Sequence, residues 1–235
     1  MNGNLTIEPI AYIRTDFNEK FGVPRQSGIV NSAKGLIVFD KKFRDGQSIR
    51  GLNEFTHIWL IWGFSENDNK WSHTVRPPKL GGNKRVGVFA SRSPFRPNPL
   101  GLSSVKIEEI YFDNSSGPVI LVSGIDMVDG TPVYDIKPYI PYADCHTDAG
   151  SGYSMNKDEA TVGVVFTKEA ESVLPSDIKD TVTEILMQDP HPSYKNEDER
   201  IYNLSYGRYD IKFKCSGNFI TVCEVLNRES HKGEF

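Results

Sequence analysis

The chain has 235 residues, enough for one core or for one core plus a small appended unit. Hydrophobic residues at 38% and charged residues at 25% are typical of a soluble globular protein, and no stretch reaches the roughly 20 apolar residues of a membrane span. The first residues, MNGNL, lack the basic and apolar regions of a signal peptide, so we expect a cytoplasmic protein without membrane contact. Three cysteines without a CxxC pair or a spaced histidine argue against a metal site or a disulfide framework.

The net charge of −4 conceals a strongly basic segment. Residues 69–107 contain no Asp or Glu but hold eight of the 27 Lys and Arg residues, which leaves 19 basic residues against all 31 acidic ones elsewhere. Such segregation favours one surface that attracts a polyanion, although a solvated basic loop without a partner would have the same composition.

Short runs rich in Val, Ile, Phe and Trp predict β-strands along the first two thirds of the chain, at residues 5–14, 35–39, 55–64, 85–90, 102–112 and 119–125. The alternation in the fifth run slips at Glu108 and Glu109, which indicates a bulge there. No long helical pattern separates these runs. The sequence therefore predicts a mainly β fold with an antiparallel β-barrel or sandwich, and not a parallel βαβ sheet.

A polar, glycine-containing stretch at residues 148–157 predicts a linker, with a barrel domain at 1–150 and a small α+β domain at 151–235. The second domain is predicted as β-α-β-β: a strand at 161–166, a helix that begins at Pro175-Ser176 and stops before Pro190, and a strand pair at 208–214 and 218–225.

Common catalytic and cofactor signatures are missing, since the sequence has no GxGxxG after a strand, no GxxxxGK[ST], no HExxH and no GxSxG. Three segments remain that combine stiff backbone with polar side chains, at residues 23–28, 86–103 and 126–139. The second has three prolines within six residues beside two arginines, which lowers the entropic cost of ordering those arginines on a ligand. Each segment is also compatible with a plain turn, a polyproline-like connector or an Asx-type hairpin turn, so residue types alone do not name a reaction.

The same segments carry a family resemblance. PRQSG, RPPKLGGNKRVGVFASRSPFRPNPLGLS and DMVDGTPVYDIKPYIPYAD closely resemble the signature runs of the TsaA-like, or TrmO, family of tRNA N6-threonylcarbamoyladenosine methyltransferases. The resemblance spans residues 10–144 and continues more faintly into the tail. It implies a homodimer of β-barrels that binds S-adenosylmethionine near the subunit interface and methylates N6 of threonylcarbamoyladenosine beside the tRNA anticodon.

Matching by motif assigns a set of cofactor-contacting residues: Pro24, Arg25, Gln26, Ser65, Glu66, Arg92, Leu102, Asp126, Met127, Val128, Asp129, Gly130 and Thr131. Ser65 and Glu66 stand where the family has His-Gln, so hydrogen bonds at that place do not transfer directly. An arginine fork such as Arg25 or Arg92 suits the carboxylate of the cofactor's methionine end.

Roles at the acceptor end follow from residue chemistry within the resemblance. Asp135, Lys137 and Tyr139 alternate along one strand face, which predicts a base, a partner for negative charge and a stacking or hydrogen-bonding group for the substrate; a structural polar strand end is the alternative. RNA contacts are predicted for a set of basic side chains and for a histidine of the tail that stands where the family usually has an arginine. These residues are Arg76, Lys79, Lys84, Arg85, Arg96 and His191.

Two other functions remain compatible with the sequence. One is a β-barrel module that binds an adenosyl ligand without methylating anything, which the Ser65-Glu66 departure keeps open. The other is a methyltransferase for a different modified RNA base.

Overall fold

The computed structural model describes residues 5–67, 70–81, 83–154, 162–190 and 200–229. Its larger part is a closed barrel of six antiparallel strands in the order β1-β2-β7-β6-β3-β8. These strands are β1 Ala11–Thr15, β2 Lys34–Phe39, β3 His57–Gly63, β6 Leu100–Asp113, β7 Gly117–Ser123 and β8 Pro132–Pro138. A two-stranded hairpin, β4 Thr74–Val75 and β5 Val86–Gly87, lies between β3 and β6 in the chain. The prediction of a mainly β fold with an antiparallel barrel is confirmed.

Period-two alternation explains how the barrel fills its interior. Ile58, Leu60 and Trp62 of β3 are buried, whereas the residues between them are only partly covered. Ile13 of β1 and Ile37 of β2 are fully buried in the same cluster. Alternate side chains of a strand point to opposite faces, so each strand contributes one apolar row to the core.

The long strand β6 changes register where the sequence predicted a bulge. Its pairing with β7 shifts between Ile107 and Glu109, and the extra residue, Glu108, accepts a hydrogen bond of 2.6 Å from Ser123 Oγ. An inserted residue bends a strand and increases its twist, which helps a sheet to close into a barrel.

Three strand predictions are corrected by the structure. The first strand begins at Ala11 and not at residue 5. Only Val86–Gly87 of the run at 85–90 is strand, and Val88–Ala90 is a turn of 3-10 helix. The barrel-closing strand β8, which pairs with both β1 and β3, was not among the six apolar runs, although the alternation of Asp135, Lys137 and Tyr139 had implied a strand there.

The C-terminal part is a four-stranded sheet with two helices. The strand order is β10-β11-β12-β9, with β9 Gly163–Phe166 parallel to β12 Phe219–Asn227, and with β10 Ile201–Tyr206 and β11 Tyr209–Ser216 antiparallel. After the short helix α1 Pro141–Asp144, which follows the barrel, come α2 Lys168–Val173 and α3 Ser176–Met187. The predicted helix and terminal strand pair are present, and β10 and α2 are additional elements.

Contacts between Phe17 and Tyr206 join the barrel to the C-terminal sheet. Their rings meet edge to face at 5.2 Å, and the two residues form an isolated antiparallel bridge. Beside them the Gly207 amide donates to the Asp16 carbonyl at 2.7 Å, so buried aromatic area and main-chain bonds hold this junction together. Within the described ranges, no helix has the length and apolar character needed to cross a bilayer.

Candidate active site

A cleft of about 1350 Å³ opens where β3 ends and β6 begins. Side chains from the loop after β1, the end of β3, the β4–β5 hairpin and its following loop, the start of β6 and the loop after β7 line it. Small-molecule sites commonly measure about 300–1,000 Å³, so this cleft has room for more than one ligand group.

A chain of hydrogen bonds forms one wall of the cleft. Trp62 Nε1 donates to Ser103 Oγ at 2.9 Å, and Ser103 Oγ donates to Asp126 Oδ1 at 2.6 Å. Trp62 lies over Gly101 because the two residues face each other in the β3–β6 register, and a Cβ on Gly101 would come within 2.2 Å of the indole ring. Glycine at this position therefore lets the tryptophan lie flat against β6 and point its N–H at Ser103.

Burial raises the pKa of Asp126 to about 6. Hydrogen bonds from Ser103 and from the backbone amide of Ser27, together with the positive charge of Arg92, act in the opposite direction and limit the rise. Removing a carboxylate from water penalises its charged form, and here that penalty outweighs the favourable contacts. A carboxyl group with this pKa can exchange a proton near neutral pH.

Arg92 and Gln26 hold two loops of the cleft together. Arg92 Nη1 donates to Gln26 Oε1, and Gln26 Nε2 donates to the Arg25 carbonyl. The proline-rich loop is fixed further where Arg96 Nη1 donates to the Ser91 carbonyl at 3.1 Å. The arginines are thus ordered before any ligand binds, which reduces the entropic cost of binding.

The cleft offers groups that fit an adenosyl-methionine ligand. Arg25 and Arg92 are suitable partners for a carboxylate, and Leu102, 58% exposed on the cleft wall, is an apolar surface that a purine would cover. Asn67 Oδ1 is buried and has no hydrogen-bond partner within the described ranges, although Asn67 Nδ2 donates to the Pro94 carbonyl at 2.7 Å. An unpaired buried acceptor in a cleft wall suits an amino group of a ligand.

Most of the predicted cofactor residues line this one cleft. They are Pro24, Arg25, Gln26, Ser65, Glu66, Arg92, Leu102, Asp126, Met127, Val128 and Thr131. Three separate sequence segments therefore come together in space. At the Ser65-Glu66 departure, Lys20 Nζ contacts the Glu66 carbonyl oxygen and lies 3.6 Å from its carboxylate.

Asp129 and Gly130 do not line the cleft. Asp129 accepts a hydrogen bond from the Thr15 amide at 3.0 Å and pairs with Arg14 at 3.4 Å, and the Gly130 amide donates to the Ile13 carbonyl at 2.8 Å. Gly130 has a φ of 76°, which an L side chain rarely adopts. These two residues tie the loop to β1, whereas residues on either side of them, Val128 and Thr131, line the cleft.

Asp135, Lys137 and Tyr139 also lie outside the cleft lining. On β8 the half-buried Asp135 and the exposed Lys137 form an ion pair of 2.8 Å. The Tyr139 ring lies 5.4 Å from that of Trp59, a residue that does line the cleft and whose Nε1 donates to Asp144 at 3.0 Å. The structure brings this trio together on one face, as the alternation predicted, and places it beside the cleft.

The predicted RNA contacts divide into two groups. Arg76, Arg85 and Arg96 line the cleft, and Arg85 Nη1 donates to Thr74 Oγ1 at 2.6 Å. Lys84 is exposed away from the cleft lining. The side chain of Lys79 and the whole of His191 lie outside the described residues.

Sequence reasoning missed Trp62, Ser103, Lys20 and Asn67. Ser103 ends the quoted proline-rich motif and is buried in β6. A buried hydroxyl needs a hydrogen-bond partner. The same is true of a buried tryptophan, since its N–H needs an acceptor. Across the parts of the chain that the structure describes, no group of three or more His, Cys, Asp or Glu residues is arranged to hold a metal ion.

Comparison with known proteins assigns the family. The sequence model of the tRNA-methyltransferase O N-terminal domain matches residues 12–145, and that of the TrmO C-terminal domain matches residues 159–228. The chain belongs to the TrmO family. The match to the first domain includes every segment that lines the cleft from Lys20 to Thr131.

Relatives within the TrmO family support the match along most of the chain. The tRNA (adenine(37)-N6)-methyltransferase of Escherichia coli K12 is 41% identical over 199 residues, which are 82% of this chain and 84% of that protein. The enzyme of the same name from Eikenella corrodens is 38% identical over 73% of this chain and 97% of its own. A crystal structure of TrmO from Pseudomonas aeruginosa superposes with a TM-score of 0.76 at 30% identity and covers 95% of this chain and 99% of that one.

Proposed function

We propose that the protein methylates N6 of threonylcarbamoyladenosine at position 37 of tRNA, beside the anticodon, with S-adenosylmethionine as the methyl donor. The observation that carries this proposal is the convergence of three motif segments on one cleft of about 1350 Å³. Relatives named tRNA (adenine(37)-N6)-methyltransferase support the reaction and the target nucleotide. The volume suits a donor and an acceptor nucleoside side by side.

In this proposal Arg25 and Arg92 hold the methionine carboxylate of the donor, and Leu102 packs against its adenine. The Asn67 Oδ1 acceptor receives an amino hydrogen of the same ligand. S-adenosylmethionine supplies a methyl group that its sulfonium already activates, so the protein's tasks are alignment and exclusion of water. The loop held by the Arg92–Gln26 contact serves both tasks.

The acceptor nucleoside enters from the side on which Trp59 lines the cleft, next to Tyr139. There Lys137 would contact the threonyl carboxylate, and Tyr139 would stack or hydrogen-bond with the substrate. The sequence-based role of Asp135 as base stays a prediction; its ion pair with Lys137 supports a part in placing that lysine.

Basic side chains at and around the mouth of the cleft would bind phosphates of the anticodon stem. Arg76, Arg85 and Arg96 are the candidates that line the cleft. Lys79, Lys84 and His191 complete the RNA surface proposed from the sequence. Asp129 and Gly130 would support the cofactor loop from behind, because both bind main-chain atoms of β1.

Three further features belong to the proposal. We place the domain boundary near residue 150, with the barrel at 1–150 and the α+β unit at 151–235, and the location in the cytoplasm. We also propose a homodimer, which is supported by large apolar side chains exposed near the cleft, such as Phe89 at 78%. Sedimentation at several protein concentrations would test the dimer.

Labelled S-adenosylmethionine incubated with the protein and with tRNA, with and without the threonylcarbamoyl group, tests the function. Transfer to the modified tRNA alone is expected. Transfer to a tRNA without that group would point to a methyltransferase for another base. Binding of the donor without any transfer would point to a non-catalytic adenosyl-binding module.

A further inference from the structure

We infer that Asp126 accepts the proton that N6 of the acceptor nucleoside loses, and that Ser103 and Trp62 position its carboxylate for this step. The inference rests on the proposed function and names the residue that performs its proton transfer. It moves the role of base from the exposed face of β8 to the wall of the cleft.

The hydrogen bonds from Trp62 to Ser103 and from Ser103 to Asp126 have a fixed direction. Because Trp62 Nε1 can only donate, Ser103 Oγ must accept from it, and the single hydroxyl hydrogen of Ser103 is then directed at Asp126 Oδ1. The relay consists of a buried bond of 2.9 Å from β3 to β6 and a partly buried bond of 2.6 Å from β6 to the loop after β7. A carboxylate held in this way keeps one orientation while a substrate approaches.

The Asp126 carboxylate has more hydrogen-bond acceptor sites than Ser103 occupies. An ionised carboxyl group has about four lone-pair sites. Ser103 Oγ occupies one of them at 2.6 Å, and the backbone amides of Ser27 and Asp126 are close enough to lower the pKa of the carboxyl group. Asp126 also lines the cleft, so its carboxylate is within reach of a substrate that binds there.

Asp126 and Asp135 differ in their surroundings and in the partners they already have. Asp135 is half-buried and already bonded to Lys137 and to the Ile136 amide. Desolvation raises the pKa of Asp126 to about 6, and Arg92 is the charged side chain that faces it and lowers its pKa. The other ionisable side chains of the cleft wall are Lys20, Arg25, Glu66, Arg76, Arg85, Arg96 and Tyr153. A base with a pKa near the working pH is the effective one, since it is largely deprotonated and still holds a proton well.

The proton transfer completes a balanced reaction. N6 of a threonylcarbamoyl adenosine is part of a urea-like group whose lone pair is delocalised. As N6 forms its bond to the methyl carbon, the carbon–sulfur bond breaks and its electron pair stays on sulfur, which becomes a neutral thioether. The N6 proton moves to Asp126, so the product nitrogen is neutral, and the carboxyl group returns the proton to solvent afterwards.

Single-turnover methyl transfer to modified tRNA tests the role of Asp126, with Asp126→Asn and Asp135→Asn as matched variants. We expect Asp126→Asn to lose about 100-fold or more in rate at saturating S-adenosylmethionine, as removal of a general base does. Asp135→Asn loosens Lys137 and should weaken tRNA binding, but at saturating tRNA it should recover the wild-type rate. A near-native rate for Asp126→Asn at saturating S-adenosylmethionine would overturn the assignment.

Two Ser103 variants test the relay. Ser103→Ala removes a hydrogen bond that lowers the pKa of Asp126, so the acidic limb of the rate profile should move to higher pH, whereas Ser103→Thr keeps the hydroxyl and should keep the limb in place. An unmoved limb in Ser103→Ala would overturn the positioning role.

A second readout does not depend on activity. Carbon-13 NMR of the free wild-type protein should show one aspartate carboxyl that titrates near pH 6 and is missing from Asp126→Asn. Titration of that carboxyl near its ordinary value of 3.8 would overturn the inference. If the wild-type protein itself transfers no methyl group, the proposed function fails, which is a result distinct from an active wild type and an equally active Asp126→Asn.

Discussion

Replacing Asp126 with asparagine should make the free protein more stable at neutral pH, although it removes the proposed base. Asparagine has the same shape and can still accept the hydrogen bond from Ser103. It carries no charge, so burying it avoids the desolvation that raises the pKa of the native carboxyl. Residues held in costly environments are common at active sites, and their removal often stabilises a protein.

The size of the effect follows from proton binding. A carboxyl with a folded-state pKa of about 6 and an unfolded value of 3.8 binds more protons in the folded than in the unfolded state between those values. The free energy of unfolding of the wild type therefore falls as the pH rises through this window and stays lower above it. A shift of this size corresponds to about 3 kcal/mol, since one pKa unit is about 1.4 kcal/mol.

Urea denaturation of the wild type and Asp126→Asn at pH 4 and pH 7.5 measures this difference. We expect the variant to gain about 2–3 kcal/mol on the wild type between the two pH values, which for a chain of this size is roughly 4–12 °C in Tm. Effects common to both proteins cancel in the comparison. A variant that is less stable than the wild type at pH 7.5, or a difference that is the same at both pH values, would refute the reasoning.

Three further outcomes are expected. Gly101→Ala places a Cβ within 2.2 Å of the Trp62 ring, so urea denaturation should show a loss of about 1–3 kcal/mol and methyl transfer should slow; an unchanged protein would contradict the packing described. Asp113, whose pKa is lowered to about 2 by hydrogen bonds from the following turn, contributes stability above its ordinary pKa that is lost as the pH falls through 2. Asp113→Asn should therefore be less stable than the wild type at pH 7, with a difference that shrinks in denaturation curves towards pH 2 and does not stay constant. Arg76→Gln and Arg85→Gln should each reduce the slope of log affinity against log salt for tRNA by roughly 0.7–0.9 in filter binding, and an unaltered slope would remove them from the interface.

Local patterns predicted the strands of the barrel better than its closure. Alternation in β3 and the slip at Glu108 were visible in the sequence because they are properties of single strands. β8 was not among the apolar runs because Pro132, Pro138 and charged residues weaken its strand pattern, and its pairing was not predictable because its two partners are distant in the chain. α2 has only six residues, too few to repeat the roughly 3.6-residue spacing of apolar side chains over several turns. The cap that starts it is the single hydroxyl of Thr167.

The site was predictable in its segments and not in its contacts. The three motifs identified the cleft, because stiff loops with arginines and acids stand out in a single sequence. The bonds from Trp62 to Ser103 and from Ser103 to Asp126 span 41 and 23 residues, and they depend on the register of β3 against β6. Register is set by the whole sheet, so a carboxyl with a perturbed pKa could not be distinguished from Asp135 by sequence alone.

A crystal structure of the protein with S-adenosylhomocysteine tests the central claim most directly, namely that the arginine loops and the loop after β7 form one donor site. The account predicts the ligand in the cleft, with its carboxylate at Arg25 or Arg92 and its adenine against Leu102. A ligand bound elsewhere on the barrel, or crystals that stay empty at saturating ligand, would contradict it.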